Sequence, residues 1–263
     1  MSALVFDCDG VLADTERYGH LPAFNLTFEH FGLPVRWDVD EYARRLRIGG
    51  GKERMASLFN DPGFADAADI GDDEELRRDR LGEWHRYKSA AFQELVRNGQ
   101  LPARPGIARL IPAALEAGWT VAVASTSAEA SVRAVLEHAV GPEVAARVPV
   151  FAGDVVPAKK PDPAIYDLAV SELGLDRDDT LVVEDSRNGL LAATGAGLPC
   201  LVTVNGYTRD EDFSEALLVV SELGDPGRDP VEVLANRGPA APGAYLTLDD
   251  LSACLGAGAG AHR

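Results

Sequence analysis

The sequence predicts an α/β fold: a Rossmann-like parallel sheet core carrying an inserted all-helical cap domain. Three observations predict it. From Arg104 to Val204, short apolar runs alternate with helix-length segments, the rhythm of βα units that builds a parallel sheet. A first apolar run, Ala3 to Phe6, stands alone at the start of the chain, and no second strand signal follows until Thr120. The stretch between, from Asp14 to about Gly99, reads as helical throughout. The division is therefore residues 1–13 with 100–255 as the Rossmann-like core and 14–99 as the cap, with 256–263 expected to be a disordered tail.

The elements follow in order. Ala3-Leu4-Val5-Phe6 is a buried strand that ends in Asp7-Cys8-Asp9 and a turn at Gly10. In the insert, Thr15 to Phe31 is a helix with Leu21, Phe24, Phe28 and Phe31 among its apolar positions. Val39 to Leu46 and Lys52 to Phe59 are shorter helices, and Asp73 to Val96 is a long charged one. Leu12 to Thr15 and Asn98 to Arg104 are the hinge segments of a cap placed to act as a lid. The core resumes with helix Ile107 to Ala117, strand Thr120 to Ala124, helix Ala128 to His138, a short helix within 142–148 and a strand over Val148 to Ala152. Helix Pro163 to Leu173, strand Thr180 to Glu184, helix Asn188 to Ala196 and strand Cys200 to Val204 complete the rhythm. Residues 225–243, rich in Pro and Gly, read as an ordered loop or a flexible arm. A last short helix fits Leu246 to Leu255.

Chemistry concentrates at the strand ends, where parallel sheets bind ligands. Strand alternation turns Cys8 into the core and leaves Asp7 and Asp9 at the mouth of a site. Two carboxylates so close bind a hard cation or share a proton; a polar turn capping the strand is the alternative. A calcium loop of the EF-hand type is excluded, because its sixth and twelfth positions would be Leu12 and Tyr18 instead of Gly and Glu. Later strands deliver Ser125-Thr126-Ser127 and Glu184-Asp185-Ser186, and Lys160 precedes Pro161. Together these supply an acidic metal cradle, a hydroxyl beside backbone N–H donors, and a cation. Those are the parts a phosphoryl group requires.

Composition narrows the partners. With 25 basic and 42 acidic residues the net charge is −17, which argues against nucleic acid or an anionic membrane as partner. No apolar run approaches the ~20 residues that span a bilayer, and no secretory signal precedes the first strand, so the chain reads as soluble and cytosolic in type or already processed. Three cysteines without short paired spacing, Cys8, Cys200 and Cys254, suggest a reducing compartment.

The motifs FDCDG, the Ser125 strand end, Lys160 before proline, and VVEDS match in order those of the haloacid dehalogenase-like phosphohydrolases, and the resemblance runs from Ala3 to about Val220. It implies that Asp7 is a nucleophile forming an aspartyl-phosphate. It makes Asp9 general acid and then base, and a Mg²⁺ ligand through its backbone carbonyl. Asp185 would complete the metal site, supported by Glu184. Ser125, the N–H of Thr126 and Lys160 would hold the phosphoryl oxygens where charge spreads. Dehalogenases of the superfamily need neither an acid at the second aspartate nor a metal, so Asp9 argues for phosphate chemistry.

Substrate choice belongs to the insert. Gly49-Gly50-Gly51 open a helix and bare N–H groups suited to an anion, with Lys52 and Arg54 adding charge; a flexible loop before a solvated helix is the alternative. Glu16 and His20, four apart, share a helix face and could read sugar hydroxyls or form a surface pair. The segments DTERYGHLPAFN, WDVDEY, IGGGKERM and FAGDVVPAKKPDPAIY resemble the CbbY-type sugar phosphatases of carbon fixation, above all the plant and algal plastid forms. That resemblance implies xylulose-1,5-bisphosphate, a rubisco inhibitor, as substrate, with Glu16, His20, Tyr42, Gly50, Gly51, Lys52 and Arg54 in contact with it. It implies a soluble stromal enzyme whose transit peptide is gone, or a bacterial cytoplasmic one, working as a monomer. Two other readings stay open: a sugar phosphomutase of the β-phosphoglucomutase kind, and a non-catalytic phosphate-binding module, which the complete acid and metal set disfavours.

Overall fold

Strand β1 (Ala3–Phe6) is fully buried, which in a sheet means neighbours on both sides and cover on both faces. The computed structural model describes residues 1–255. The chain divides into two compact units, one formed by Met1–Asp14 with the chain from Pro102 onward, the other by Thr15–Leu101.

The inserted unit is helical. It opens with a π-helical turn over Glu16–His20 that runs into α1 (Leu21–His30). Then come α2 (Val39–Arg45), capped by Asp38, whose side chain accepts from the Glu41 N–H at 2.8 Å, α3 (Gly51–Ala56), a 3₁₀ turn at Ser57–Asn60, α4 (Phe64–Ala67) and α5 (Glu74–Arg97). Its core is aromatic. Phe24, Phe28, Trp37 and Tyr42 are buried with ring centroids 4.8 to 6.1 Å apart, and Phe59, Phe64 and Trp84 form a second group.

The other unit continues with α6 (Ile107–Glu116), β2 (Thr120–Ser125), α7 (Glu129–Val140), α8 (Pro142–Ala145), β3 (Val150–Ala152), α9 (Ala164–Leu173), β4 (Thr180–Glu184), α10 (Arg187–Gly195), β5 (Cys200–Thr203), β6 (Leu218–Val220), β7 (Val233–Asn236) and α11 (Leu248–Ala253). Among the described residues the sheet has seven strands in the order β3-β2-β1-β4-β5-β6-β7. All pairings are parallel except β6 with β7. The chain winds outward in both directions from β1, which makes the β1 end the switch point where an open α/β sheet forms its crevice. A packed layer of Val5, Ile165, Tyr166, Val182, Leu190 and Val202 lies against these strands. The two chain crossings to the insert are tied together: Ala13 bridges Ala103 in antiparallel fashion, and Arg104 N–H donates to Leu12 C=O at 2.9 Å.

The α/β class with a mostly parallel sheet and a helical insert matches the sequence reading, with three differences. Residues 225–243 are not wholly a loop or arm: β7 lies within them and adds an antiparallel edge. Strand β6 (Leu218–Val220) lies in the short apolar run 216–220, a strand signal that the sequence reading passed over. The first insert helix begins as a π turn and not as α-helix, so Glu16 and His20 do not sit one α-turn apart. The tail, residues 256–263, lies outside the described residues.

Candidate active site

The parallel register sets the site. Phe6 aligns with Val123 of β2 and with Val183 of β4, and Asp7 N–H donates to Val183 C=O at 2.9 Å. Asp7, Ser125 and the pair Glu184-Asp185 therefore leave neighbouring strands at one edge. Lys160, in the loop before α9, joins them. Its ammonium donates to Asp7 Oδ1 at 2.7 Å, to Glu184 Oε1 at 2.6 Å and to the Ala124 carbonyl at 2.9 Å. Tyr166 of α9 donates its hydroxyl to the same Glu184 oxygen at 2.6 Å, and the Lys160 ammonium lies 4.7 Å from the Tyr166 ring centre. Lys159, beside it, lies 3.7 Å from Asp154, and its side chain is 30% exposed against 8% for Lys160.

This is an electrostatically tense cluster. Burial pushes the Asp7 carboxyl up to about 7, against the pull of Lys160 and helped by the charges of Glu184 and Asp9. Lys160 is held above its ordinary range, because Asp7 and Glu184 outweigh its own desolvation. Carboxylate oxygens of Asp7, Glu184 and Asp185 lie within 4.8 Å of one another, all three residues buried. Three buried carboxylates beside one lysine leave excess negative charge, and an all-oxygen donor set suits a hard dication such as Mg²⁺. The residues fit that ion. Glu184 is also the most committed of the three, since its second oxygen accepts the Asp185 N–H at 3.0 Å.

Around this centre the chain leaves room for close approach. Gly10 has φ +78°, and a Cβ there would collide with the Asp185 carboxylate and lie 2.8 Å from Asn205 Nδ2, so only glycine permits the turn. Gly189 of α10 gives Glu184 the same clearance. Asp9 accepts a short hydrogen bond from Ser127 Oγ. The Ser127 N–H donates to Ser125 Oγ at 3.1 Å, which closes the 125–127 loop on itself; Ser125 is buried and Thr126 half-buried. Cys8, Cys200 and Cys254 are buried free thiols, and burial pushes each thiol up.

Within the inserted unit the expected residues form a second cluster. Tyr42 donates a short hydrogen bond to Glu16, and Arg54 donates to Tyr42 Oη at 2.8 Å while lying 3.7 Å from Glu16. The Arg54 guanidinium is buried and also meets the carbonyls of Arg45 and Ile48. His20 stacks on Phe92 with centroids 4.2 Å apart, and its Nδ1 lies 2.7 Å from Lys88 Nζ. Gly50 has φ +88° and caps α3; a Cβ on Gly51 would lie 3.5 Å from His85 Nε2 and 3.7 Å from Lys88 Nζ. Lys52 is exposed. The structure thus joins Glu16, Tyr42 and Arg54, sends His20 to Lys88 instead of to Glu16, and leaves Lys52 at the surface of its unit.

Sequence reasoning missed Ser127, Tyr166, Asn205, Arg104 and Lys88. Lys88 had a signal: it occupies the i, i+4 stripe Trp84, Lys88, Phe92, Val96 of α5, whose other members are all apolar and buried. Ser127 stands in the same strand-end run as Ser125. Asn205 follows the end of β5, a strand that pairs β4.

Comparison with known proteins follows this geometry. Residues 1–197 match the model of the haloacid dehalogenase-like hydrolases. A CBBY-like protein of Arabidopsis thaliana is 51% identical over 225 residues, covering 86% of this chain and 70% of that protein. The plasmid-encoded CbbY of Cupriavidus necator is 41% identical over 231 residues, covering 86% and 87%. A crystal structure of a CbbY variant from Rhodobacter sphaeroides in complex with xylulose-(1,5)bisphosphate superposes with a TM-score of 0.74 at 38% identity, covering 86% of this chain and 96% of that one.

Proposed function

The chain belongs to the haloacid dehalogenase-like hydrolases and is a phosphatase, and from that premise we propose that it dephosphorylates a sugar bisphosphate, xylulose-1,5-bisphosphate, through an aspartyl-phosphate on Asp7. One observation carries the reading: a buried carboxylate at the tip of β1, 2.7 Å from a buried lysine and clustered with two further carboxylates. The similarity to CbbY proteins supports the choice of sugar.

In this reading a carboxylate oxygen of Asp7 attacks phosphorus, and the P–O bond to the sugar breaks. The departing sugar oxygen takes the proton of Asp9, held by Ser127. Asp9, now ionised, takes a proton from water as that water attacks the acyl-phosphate, which returns Asp7 and frees phosphate. Ser125 Oγ, the Thr126 N–H and Lys160 Nζ hold the oxygens that carry the growing charge. Mg²⁺, held by Asp7, Asp185 and the Asp9 carbonyl with Glu184 in support, would offset repulsion between carboxylate and phosphate.

The deciding experiment is phosphate release from sugar mono- and bisphosphates, with Mg²⁺ and with chelator. Release from bisphosphates that stops with chelator is the expected result. Transfer of the phosphoryl group to a second sugar position without net release would instead favour the mutase alternative.

The insert supplies selectivity in this proposal, with Glu16, His20 and Tyr42 reading the sugar, and Gly50, Gly51, Lys52 and Arg54 the phosphate that does not react. Arg54 is already committed to Tyr42 and Glu16, so Lys52 is the exposed cation of that set. Binding energy from a remote group can raise kcat when it helps assemble the site. Lys52→Ala is therefore expected to cost the bisphosphate about 2–4 kcal/mol, the scale of removing one partner of a desolvated charge pair, and to leave the slower monophosphate almost unchanged. Comparing kcat/KM for both substrates on both proteins isolates the coupling; equal losses on the two substrates would remove Lys52 from phosphate recognition. Among the described residues no helix is long and apolar enough to cross a membrane. A location in the chloroplast stroma or the bacterial cytoplasm agrees with plant and bacterial relatives; a monomer is expected, and a concentration-independent dimer in light scattering would contradict it.

A further inference from the structure

Beyond the residues that would touch substrate or metal, a support runs in from the far side of β4. Asn205, just past β5, donates Nδ2–H to Asp185 Oδ2 at 2.6 Å. Its amide is not free to turn away. Asn205 Oδ1 accepts the Tyr207 N–H at 2.8 Å, and its own N–H donates to Thr208 Oγ1 at 3.1 Å, so a tight turn fixes which face of the amide meets the carboxylate. The clearance at Gly10 brings the same Nδ2 and the same carboxylate oxygen against the turn that follows Asp9.

Arg104 secures that turn from the other side. Its guanidinium donates to the Gly10 carbonyl in a short hydrogen bond, to the Thr203 and Val204 carbonyls at 3.1 and 2.8 Å, and to the Ser221 carbonyl at 2.5 Å. One side chain thus joins the turn after β1 to the carboxyl ends of β5 and β6. A planar, permanently charged fork can hold four carbonyls at once, and a lysine cannot. Neither residue carries a group the proposed reaction consumes, and both converge on Gly10 and Asp185.

We propose that Asn205 and Arg104 are positioning residues that preset the metal-binding geometry, Asn205 by orienting Asp185 and Arg104 by locking the Asp9-Gly10 turn against the end of β5. The proposal rests on the reading of this cluster as a Mg²⁺ site. Partners that orient metal ligands typically govern affinity by about 10–100-fold, because the ligands must otherwise be ordered by the metal itself.

The test is calorimetric titration of Mg²⁺ into the substrate-free protein, for wild type, N205A and R104K, beside melting curves recorded without Mg²⁺. R104K keeps charge and bulk where a truncation could fail to fold. Expected are Mg²⁺ affinities lower by about 10–100-fold in both variants, with N205A melting within about 4 °C of wild type. For N205A, kcat at saturating Mg²⁺ should recover to within about threefold of wild type, since orientation and not chemistry was lost. Wild-type Mg²⁺ affinity in either variant overturns the assignment for that residue, as does a loss that merely tracks a lower melting temperature. A wild-type protein that binds no Mg²⁺ overturns the metal reading itself, a result separable from the others because it needs no variant.

Discussion

Asp7→Ala is expected to abolish turnover, lowering kcat/KM by on the order of 10³-fold or more, as losses of covalent nucleophiles do. The carboxylate sits at the tip of β1, buried, with its oxygen 2.7 Å from Lys160 Nζ and its neighbours Glu184 and Asp185 within 4.8 Å. The neighbouring Glu184 is not available to replace it, because it is already bonded through both oxygens. The expected fold makes the result clean: alanine removes a buried carboxyl whose ionised form burial disfavours, so the variant should remain folded. Steady-state kinetics with circular dichroism check both halves. Activity within tenfold of wild type in a folded variant would end the aspartyl-phosphate mechanism.

Lys160→Ala is expected to lower kcat by about 10²–10³-fold, comparable to losing a transition-state donor, and also to move the pH profile. Lys160 pulls the Asp7 carboxyl down, so removing it raises the pH at which Asp7 ionises. A nucleophile must be ionised to attack, and the acid limb of kcat/KM should therefore shift to higher pH. Folding stability carries the same sign. A carboxyl raised to about 7 in the folded protein, against an ordinary value near 4, favours folding fully at low pH. That contribution is lost as pH climbs through the folded value, so metal-free protein should weaken between about pH 4 and 7 on account of Asp7. Lys159→Ala is the control: its side chain is 30% exposed, where that of Lys160 is 8% exposed. If that variant, and not Lys160→Ala, were the damaging one, the assignment of the motif would be one residue off.

Much of the core was legible because its chemistry is local in the chain. The candidate core residues Asp7, Ser125, Lys160, Glu184 and Asp185 lie at the end of a strand or precede a proline-opened helix, so hydrophobic runs locate them. Strand β7 is half-exposed and unalternating within a Pro- and Gly-rich stretch, without the pattern that marks a strand, and it forms by antiparallel pairing to β6; β6 takes only three residues of the short apolar run 216–220, which the sequence reading passed over. The π turn at Glu16–His20 shifts the helical phase by a fraction of a turn that composition does not encode. Asn205 and Arg104 were invisible for a different reason. Their partners lie 20 to 117 residues away, and an arginine that serves four backbone carbonyls leaves no spacing to read. In the insert, residue types announced polarity correctly, but which polar group meets which was decided by tertiary packing: His20 met Lys88, a residue read only as part of a charged helix.

The antiparallel bridge of Ala13 to Ala103 closes the insert at its base, so that the whole excursion leaves and re-enters the sheet through one narrow neck. To the strands, the excursion is a loop whose ends are already joined, and the entropic toll of such a loop rises only with the logarithm of its length. Segments behind that neck can be lengthened, trimmed or traded for another helical module at little cost to the sheet, while the carboxylates and lysine at the strand ends stay as they are. Descent could then revise which molecule is accepted without reopening the chemistry, and a laboratory graft cut between Ala13 and Ala103 inherits the same freedom.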